Sequence, residues 1–420
     1  MTKAILQKNI ETAGQAVMKG RVLFVSPTPT HPQNAGNRVR IFGLLKFLQR
    51  ADVPFHFVWI MQEGEDWDAA ARMKDEWGAS NVTCFPHRYP RLRYTLWQRL
   101  HRKIASYVPV FDRGSHSHGI DDWVDLTRIA DILALAERFQ PTAVCVEYVF
   151  FSKYLEFFPA DVVRVVDTHD VFSNRQSLFR KSGLPEETAW FSTRTAQERM
   201  GLRRADRIIA IQDNEQQVLR KISNGSAVAT VGHLASVPGT PGHRPAETPT
   251  VLIVAGGNGP NRHGVRRFLA HVWPRIRRQV PDATCLIAGT VCRHLPGDQP
   301  GTTLLGFVQD LGPLYAKTWV VAAPVYLGTG LKIKCIEALS HGIPVVTPPA
   351  GAAGLESHVD SGISIATSDR DYAAELCRIL DHGPPSMAYK NDLLNRLRSR
   401  SQQHGRVFLE CLNISAADRP

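Results

Sequence analysis

The chain has 420 residues, 43% of them hydrophobic and 21% charged, which suits a soluble globular protein of two or more domains and excludes a disordered chain. Its net charge of +11 implies anionic partners: phosphates, nucleic acid or acidic lipid. Seven scattered cysteines without a CxxC pair point to neither a zinc site nor a disulfide framework, and read as reduced cytosolic thiols. No apolar run approaches the ~18 residues of a spanning helix. Residues 1–20 lack the apolar core of a signal peptide, so no export is expected.

In chain order, residues 21–26 (RVLFVS) form an apolar strand that runs into a polar loop, Ser26 to Asn37. A helix follows over Arg38–Arg50, with Val39, Phe42, Leu45 and Leu48 on one face, then a strand at Phe55–Met61. Strand, loop, helix and strand make a βαβ unit, hence a parallel sheet. Between Phe85 and Phe111 there is no acidic residue, while Arg88, Arg91, Arg93, Arg99, Arg102 and Lys103 alternate with Tyr89, Tyr94, Leu96, Trp97 and Leu100. Cations among aromatics suit an anionic membrane surface, so residues 86–103 are expected to meet one. No recognition motif accompanies the charge, and nucleic acid is not expected. The pattern continues with a helix at Asp125–Phe139, strands at Thr142–Val146 and Val162–Val166, a helix around Glu186–Arg203 and a strand at Arg207–Ile211.

Residues 223–249 are rich in Gly, Pro, Ser and Thr, a linker composition. The alternation then restarts with a strand at Thr250–Ala255, a helix from about His263 to Arg278, and strands at Thr284–Ala288, Thr303–Leu305 and Val320–Pro324. A glycine loop, a helix through Glu337 and a strand at Ile343–Thr347 follow, then helices near Asp371–Leu380 and Met387–Leu409. The division expected is an N-terminal extension (1–20), a first α/β domain (21–222), a linker (223–249), a second α/β domain (250–385) and a helical tail (386–420) able to pack on either. Ligands of such sheets bind beyond the carboxyl ends of the strands, and two such domains face each other across a cleft.

The sharpest chemical signal is Gly328-Thr329-Gly330-Leu331 leading into a helix with Lys332, Lys334 and Glu337. Glycines before a helix let backbone N–H groups approach a phosphate, and the helix N-terminus favours negative charge. The lysines add cations for a diphosphate, and Glu337 can accept from the two hydroxyls of a ribose. An isolated Lys-x-x-Glu is ordinarily a solvated pair. Here the glycine loop, the preceding strand and the following Gly342-Ile343-Pro344-Val345-Val346 mark a ligand site. No acidic cluster suggests a required metal, and no GxGxxG follows either first strand, which argues against hydride transfer.

This stretch, PVYLGTGLKIKCIEALSHGIPVVTPPAGAAGL, resembles the donor-binding region of family-4 retaining glycosyltransferases of GT-B fold, in the branch with GxGxKxKxxEAL. Gly256-Gly257-Asn258, Pro260-Asn261, Trp273-Pro274, Ala288-Gly289 and Leu305-Gly306-Phe307 fall where that branch has similar residues. The resemblance is strong in the second half and diffuse in the first. It implies a GT-B fold of two Rossmann-like, doubly wound domains, with the acceptor on the first and a nucleotide-sugar donor on the second. It makes Glu337 the ribose ligand and puts Thr329 where the family has another glutamate, a departure that leaves the sugar open. Gly36 resembles the family's glycine loop, and His169, in Asp167-Thr168-His169-Asp170, its cleft histidine; Glu147 is a weaker candidate. The resemblance thus gives His169, Lys332 and Lys334 as catalytic, and Gly36, Gly257, Asn261, Gly328, Thr329, Gly330, Leu331 and Glu337 as donor-binding, with no metal or cofactor.

The function it implies is retaining transfer from a nucleoside-diphosphate sugar to a glycan, lipid-linked or glycolipid acceptor, in polysaccharide synthesis at the cytoplasmic face of a membrane. Its rivals are a nucleotide-sugar epimerase or hydrolase on the same frame, and an inactive nucleotide-sugar-binding subunit, which the threonine at 329 would explain.

Overall fold

The computed structural model describes residues 20–87, 119–173, 175, 192–235, 237, 245–297, 299–327, 330–356 and 362–414. The first sheet joins seven parallel strands in the order β3-β2-β1-β4-β5-β6-β7. They are β1 (Val22–Ser26), β2 (Phe55–Met61), β3 (Val82–Pro86), β4 (Ala143–Glu147), β5 (Val163–Asp167), β6 (Arg207–Ala210) and β7 (Ala227–Thr230). Around it lie α1 (Gly36–Arg50), α2 (Trp67–Trp77), α3 (Ile129–Phe139), α4 (Thr195–Leu202) and α5 (Asp213–Ser223). Every residue of β1 and β2 is buried, because helices cover both faces of the parallel sheet.

The second sheet has six strands in the order β10-β9-β8-β11-β12-β13, all parallel. These are β8 (Thr250–Val254), β9 (Thr284–Ala288), β10 (Thr302–Gly306), β11 (Val320–Ala322), β12 (Val345–Thr347) and β13 (Ile363–Ile365). The helices are α6 (Gly259–Arg267), α7 (Trp273–Gln279), α8 (Gly312–Lys317), α9 (Ile333–Ser340), α10 (Pro349–Ala352), α11 (Asp369–His382) and α12 (Met387–Cys411). A π-helical turn, Phe268–Val272, joins α6 to α7 just before Pro274. Proline lacks the N–H that a regular turn would use, and a widened turn accommodates the loss.

In each sheet the chain runs outward from a central strand and then returns to its other side. The reversals fall between β1 and β4 and between β8 and β11. Crevices open at the carboxyl ends of strands at such reversals. The loop after β1 leads to Gly36, and the loop after β8 carries Gly256 and Gly257.

The structure differs from the sequence expectation in several places. Residues 227–230, inside the segment of linker composition, form β7 in register with β6. The helix expected from His263 starts at Gly259, where the Asn258 side chain caps it by accepting the Asn261 N–H. The tail helix α12 serves both domains: Leu393 and Leu397 join the core of the second, Phe408 and Leu409 that of the first.

Candidate active site between the two domains

In the parallel register Glu147 ends β4 beside Asp167, which ends β5. Tyr148 and His169, just past these ends, take positive φ values of 70° and 59°. Non-glycine side chains seldom adopt this region, so the surroundings must hold them. The two rings stack 4.2 Å apart and 11° from parallel. Asn37 donates to the Tyr148 hydroxyl at 2.9 Å, and His169 Nε2 lies 2.5 Å from Glu147 Oε2. Arg40, from α1, donates Nε and Nη2 to the two oxygens of Asp167, each at 2.8 Å, and Nη1 to the Val231 and Gly232 carbonyls. Both partners of this ion pair are fully buried. The loop after His169 is fixed by buried Glu198, which accepts the backbone N–H groups of Phe172 and Ser173.

The opposite wall is the loop and helix after β11. Gly330 has φ 77°, and a Cβ there would stand 3.7 Å from the His169 carbonyl and 3.8 Å from Asp170 Oδ2. The domains thus meet at this glycine, and Ile333 of α9 reaches to 3.6 Å of a Cβ built on Gly36. Leu331 packs on the second domain's core. Lys332 Nζ donates to the Gly330 carbonyl at 2.6 Å. Lys334 Nζ donates to Asn261 Oδ1 at 3.0 Å, which ties it to the N-terminal end of α6. Gly257 donates its N–H to Thr290 Oγ1 at 2.8 Å and lies against the Thr290–His294 turn.

Glu337 sits one turn beyond Lys334 on α9. Its carboxylate has no side-chain partner among the described residues, and burial alone raises its pKa to about 7. The same charge presses on buried Tyr315, whose hydroxyl is also without a partner among the described residues. Burial lowers Lys334 to about 8, with the charge of Lys332 adding to the shift. Lys332 is lowered by burial as well, against the pull of Asp170 and Glu215 from the first domain. Glu215 is raised to about 8 by burial and by Asp170. The second domain therefore presents two cations and one carboxylate that water solvates poorly, which favours a ligand carrying both anionic and hydroxyl groups.

Glu147, Asp167 and His169 offer ligand atoms within 4.8 Å of one another, the geometry of a metal site. Arg40 already grips both Asp167 oxygens, so a guanidinium stands where a cation's charge would act. Burial would raise Asp167, but Arg40 and His169 hold it low; burial and Asp167 raise Glu147. Elsewhere in the seam, a cavity of about 20 Å³ lies among Gln212, His233, Leu331 and Arg400. It has room for one water and not for a nucleotide.

The structure brings together His169, Gly330 and Lys332 across the seam, sets Gly36 against Ile333, and joins Lys334 to Asn261 with Glu337 nearby. Gly257 lies one turn away, before α6. Gly328 and Thr329 lie outside the described residues, as do 88–103 of the basic segment. Sequence reasoning passed over Tyr148, Glu198 and Glu215, and Arg40, near a helix start where an arginine is ordinarily surface charge, is buried. The signal for Tyr148 was its place directly after Glu147 at a strand end; Glu215, at a helix start beyond β6, followed the same rule.

Residues 248–382 match the family model described as glycosyl transferases group 1. A search of curated proteins finds no match by sequence. Among solved structures, the chain resembles TarM of S. aureus, in complex with fondaparinux, alpha-GlcNAc-glycerol and UDP, with TM-score 0.61 and 9% identity over 94% of this chain and 100% of that one. It resembles the pneumococcal O-GlcNAc transferase GtfA, in complex with UDP and GlcNAc, with TM-score 0.59 and 10% identity over 94% and 97%. It also resembles Anabaena HepE, in complex with UDP and glucose, with TM-score 0.57 and 13% identity over 94% and 99%. These likenesses carry the fold, two parallel α/β domains in GT-B arrangement. With that fold and a glycosyl transferases group 1 domain over residues 248–382, the chain is a glycosyltransferase.

Proposed function

We propose that the chain is a family-4 enzyme that moves a sugar from a nucleoside-diphosphate donor to a glycan, lipid-linked or glycolipid acceptor, with retention of anomeric configuration. The observation that carries this reading is the joining of Lys334 to Asn261 at the start of α6, with Glu337 one turn on, half-buried and without a side-chain partner among the described residues. A diphosphate placed there meets Lys332, Lys334 and the Gly259 N–H at the start of α6, since Pro260 has none and Asn258 already takes that of Asn261. A ribose meets Glu337, whose carboxylate can accept two hydroxyls. UDP is the nucleotide in the three structures named above, so a UDP-sugar is the first donor to test.

In the reaction, charge develops on the leaving diphosphate as the anomeric carbon gains oxocarbenium character. Cations fixed in a poorly hydrated site stabilise that charge. The lysines fill this role in our reading, with no metal. The acceptor enters on the first-domain side, past His169, and the leaving phosphate takes its proton on the same face of the sugar. Peripheral attachment to the cytoplasmic face of a membrane through residues 86–103 completes the proposal; among the described residues no helix is long and apolar enough to cross a bilayer. The test is proton NMR of the product formed from an α-linked UDP-sugar. An α product is expected, unchanged in rate by EDTA, with turnover in Lys334→Ala lowered about 100-fold or more. A β product would refute retention.

A further inference from the structure

Glu147 is buried at the end of β4 and has no place in the donor chemistry above. Its Oε2 lies 2.5 Å from His169 Nε2, while the imidazole plane is fixed by stacking on Tyr148. The Tyr148 ring is held in turn by Asn37, from the start of α1. Among the described residues no hydrogen bond to His169 Nδ1 is made, and it is not one of the sealed, unpartnered polar atoms, which leaves it as the ring nitrogen a ligand could meet. Tyr148 and His169, just past two adjacent strand ends, both sit at positive φ, which their surroundings must hold.

Resting on the reading that His169 faces the transferred sugar and its acceptor, we infer that Glu147 is a positioning residue that fixes the tautomer of His169. The carboxylate accepts the Nε2–H, so Nδ1 carries the lone pair and meets the cleft as a hydrogen-bond acceptor for a hydroxyl of the sugar or the acceptor. An acidic partner on the far nitrogen sets which nitrogen of an imidazole is protonated. Arg40 supports this by occupying Asp167, so that of the two neighbouring carboxylates Glu147 is the one left to accept the Nε2–H hydrogen bond.

Nitrogen-15 NMR of the full chain tests this, with His169 assigned by its loss in His169→Asn, asparagine being tolerant of positive φ. In the neutral imidazole the expected spectrum shows Nε2 protonated and Nδ1 bare. A spectrum with the proton on Nδ1 overturns the inference, whatever the variants do. Glu147→Leu is expected to lower kcat for UDP release by about 10- to 100-fold, by analogy with the loss when the partner orienting a metal-bound histidine is removed. Its donor KM and its stabilisation by UDP stay at wild-type levels. Glu147→Gln, whose amide oxygen can still accept the Nε2–H, recovers part of the rate. Unchanged kcat in Glu147→Leu, or joint loss of kcat and UDP binding, would overturn the role. If wild type itself gains no stability from UDP, the donor reading fails while the tautomer result stands separately.

Discussion

Glu337 and Lys334 carry opposite charges in a place that resists both. The folded carboxyl ionises near 7 and its unfolded counterpart near 4.5. Across that window the folded chain holds more protons, so this group makes stability fall as pH rises from about 4.5 to about 7. Lys334 works in the other direction, ionising near 8 against 10.5, and its penalty is lifted as pH rises through that range. Near pH 7.5 both groups are strained, and in the proposed reading a diphosphate with a ribose relieves both. Glu337→Gln removes the carboxylate penalty. Its melting temperature is expected to equal or exceed that of wild type at pH 8, with the gap closing at pH 5. A clear loss of stability at pH 8 would contradict a poorly solvated carboxylate at Glu337. These residues were legible because glycine loop, lysines and glutamate are contiguous in the chain. Arg40 and Asp167 were not joined by the sequence, since 126 residues separate them and an arginine near a helix start looks like surface charge.

At the scale of elements, the alternation of apolar strands and amphipathic helices was legible wherever strands are central and fully buried. β7 escaped because it is a four-residue edge strand, half exposed, in a segment of turn-forming composition. The start of α6 was read late, since Gly-Pro-Asn punctuates a loop as readily as it opens a helix behind an asparagine cap. That helix packs closely: a Cβ on Gly264 would lie 1.8 Å from the Pro324 carbonyl oxygen, in the loop after β11. Gly264→Ala must therefore push α6 away from that loop. A cost of about 1–3 kcal/mol is expected in urea unfolding, as for other overpacked contacts. A neutral substitution would show that the contact is loose.

For the molecule as a whole, the seam between domains is narrow and α12 ties it by packing on both cores. Gly354, at φ 78°, would place a Cβ 2.1 Å from Gln212 Oε1 of the first domain, and Asn214 reaches Glu356 at 3.3 Å nearby. The two-domain plan was legible in the sequence; this close facing of glycines and polar side chains was not, because no local pattern encodes contacts between separately folded units. If the second domain alone grips the nucleotide, prying the seam open spares binding and impairs transfer. Gly354→Ala is expected to keep the wild-type response to UDP while kcat falls; equal loss of both would place nucleotide binding across the seam.

The central claim is that Glu337 holds the donor ribose in the second domain. The most direct measurement is the thermal shift of the full chain with UDP, in wild type and in Glu337→Ala. UDP at about 100 times its Kd should stabilise wild type by about 2.7 kcal/mol, read as a rise of roughly 2–4 °C, and Glu337→Ala should lose most of that rise. Equal shifts in the two proteins would contradict the assignment.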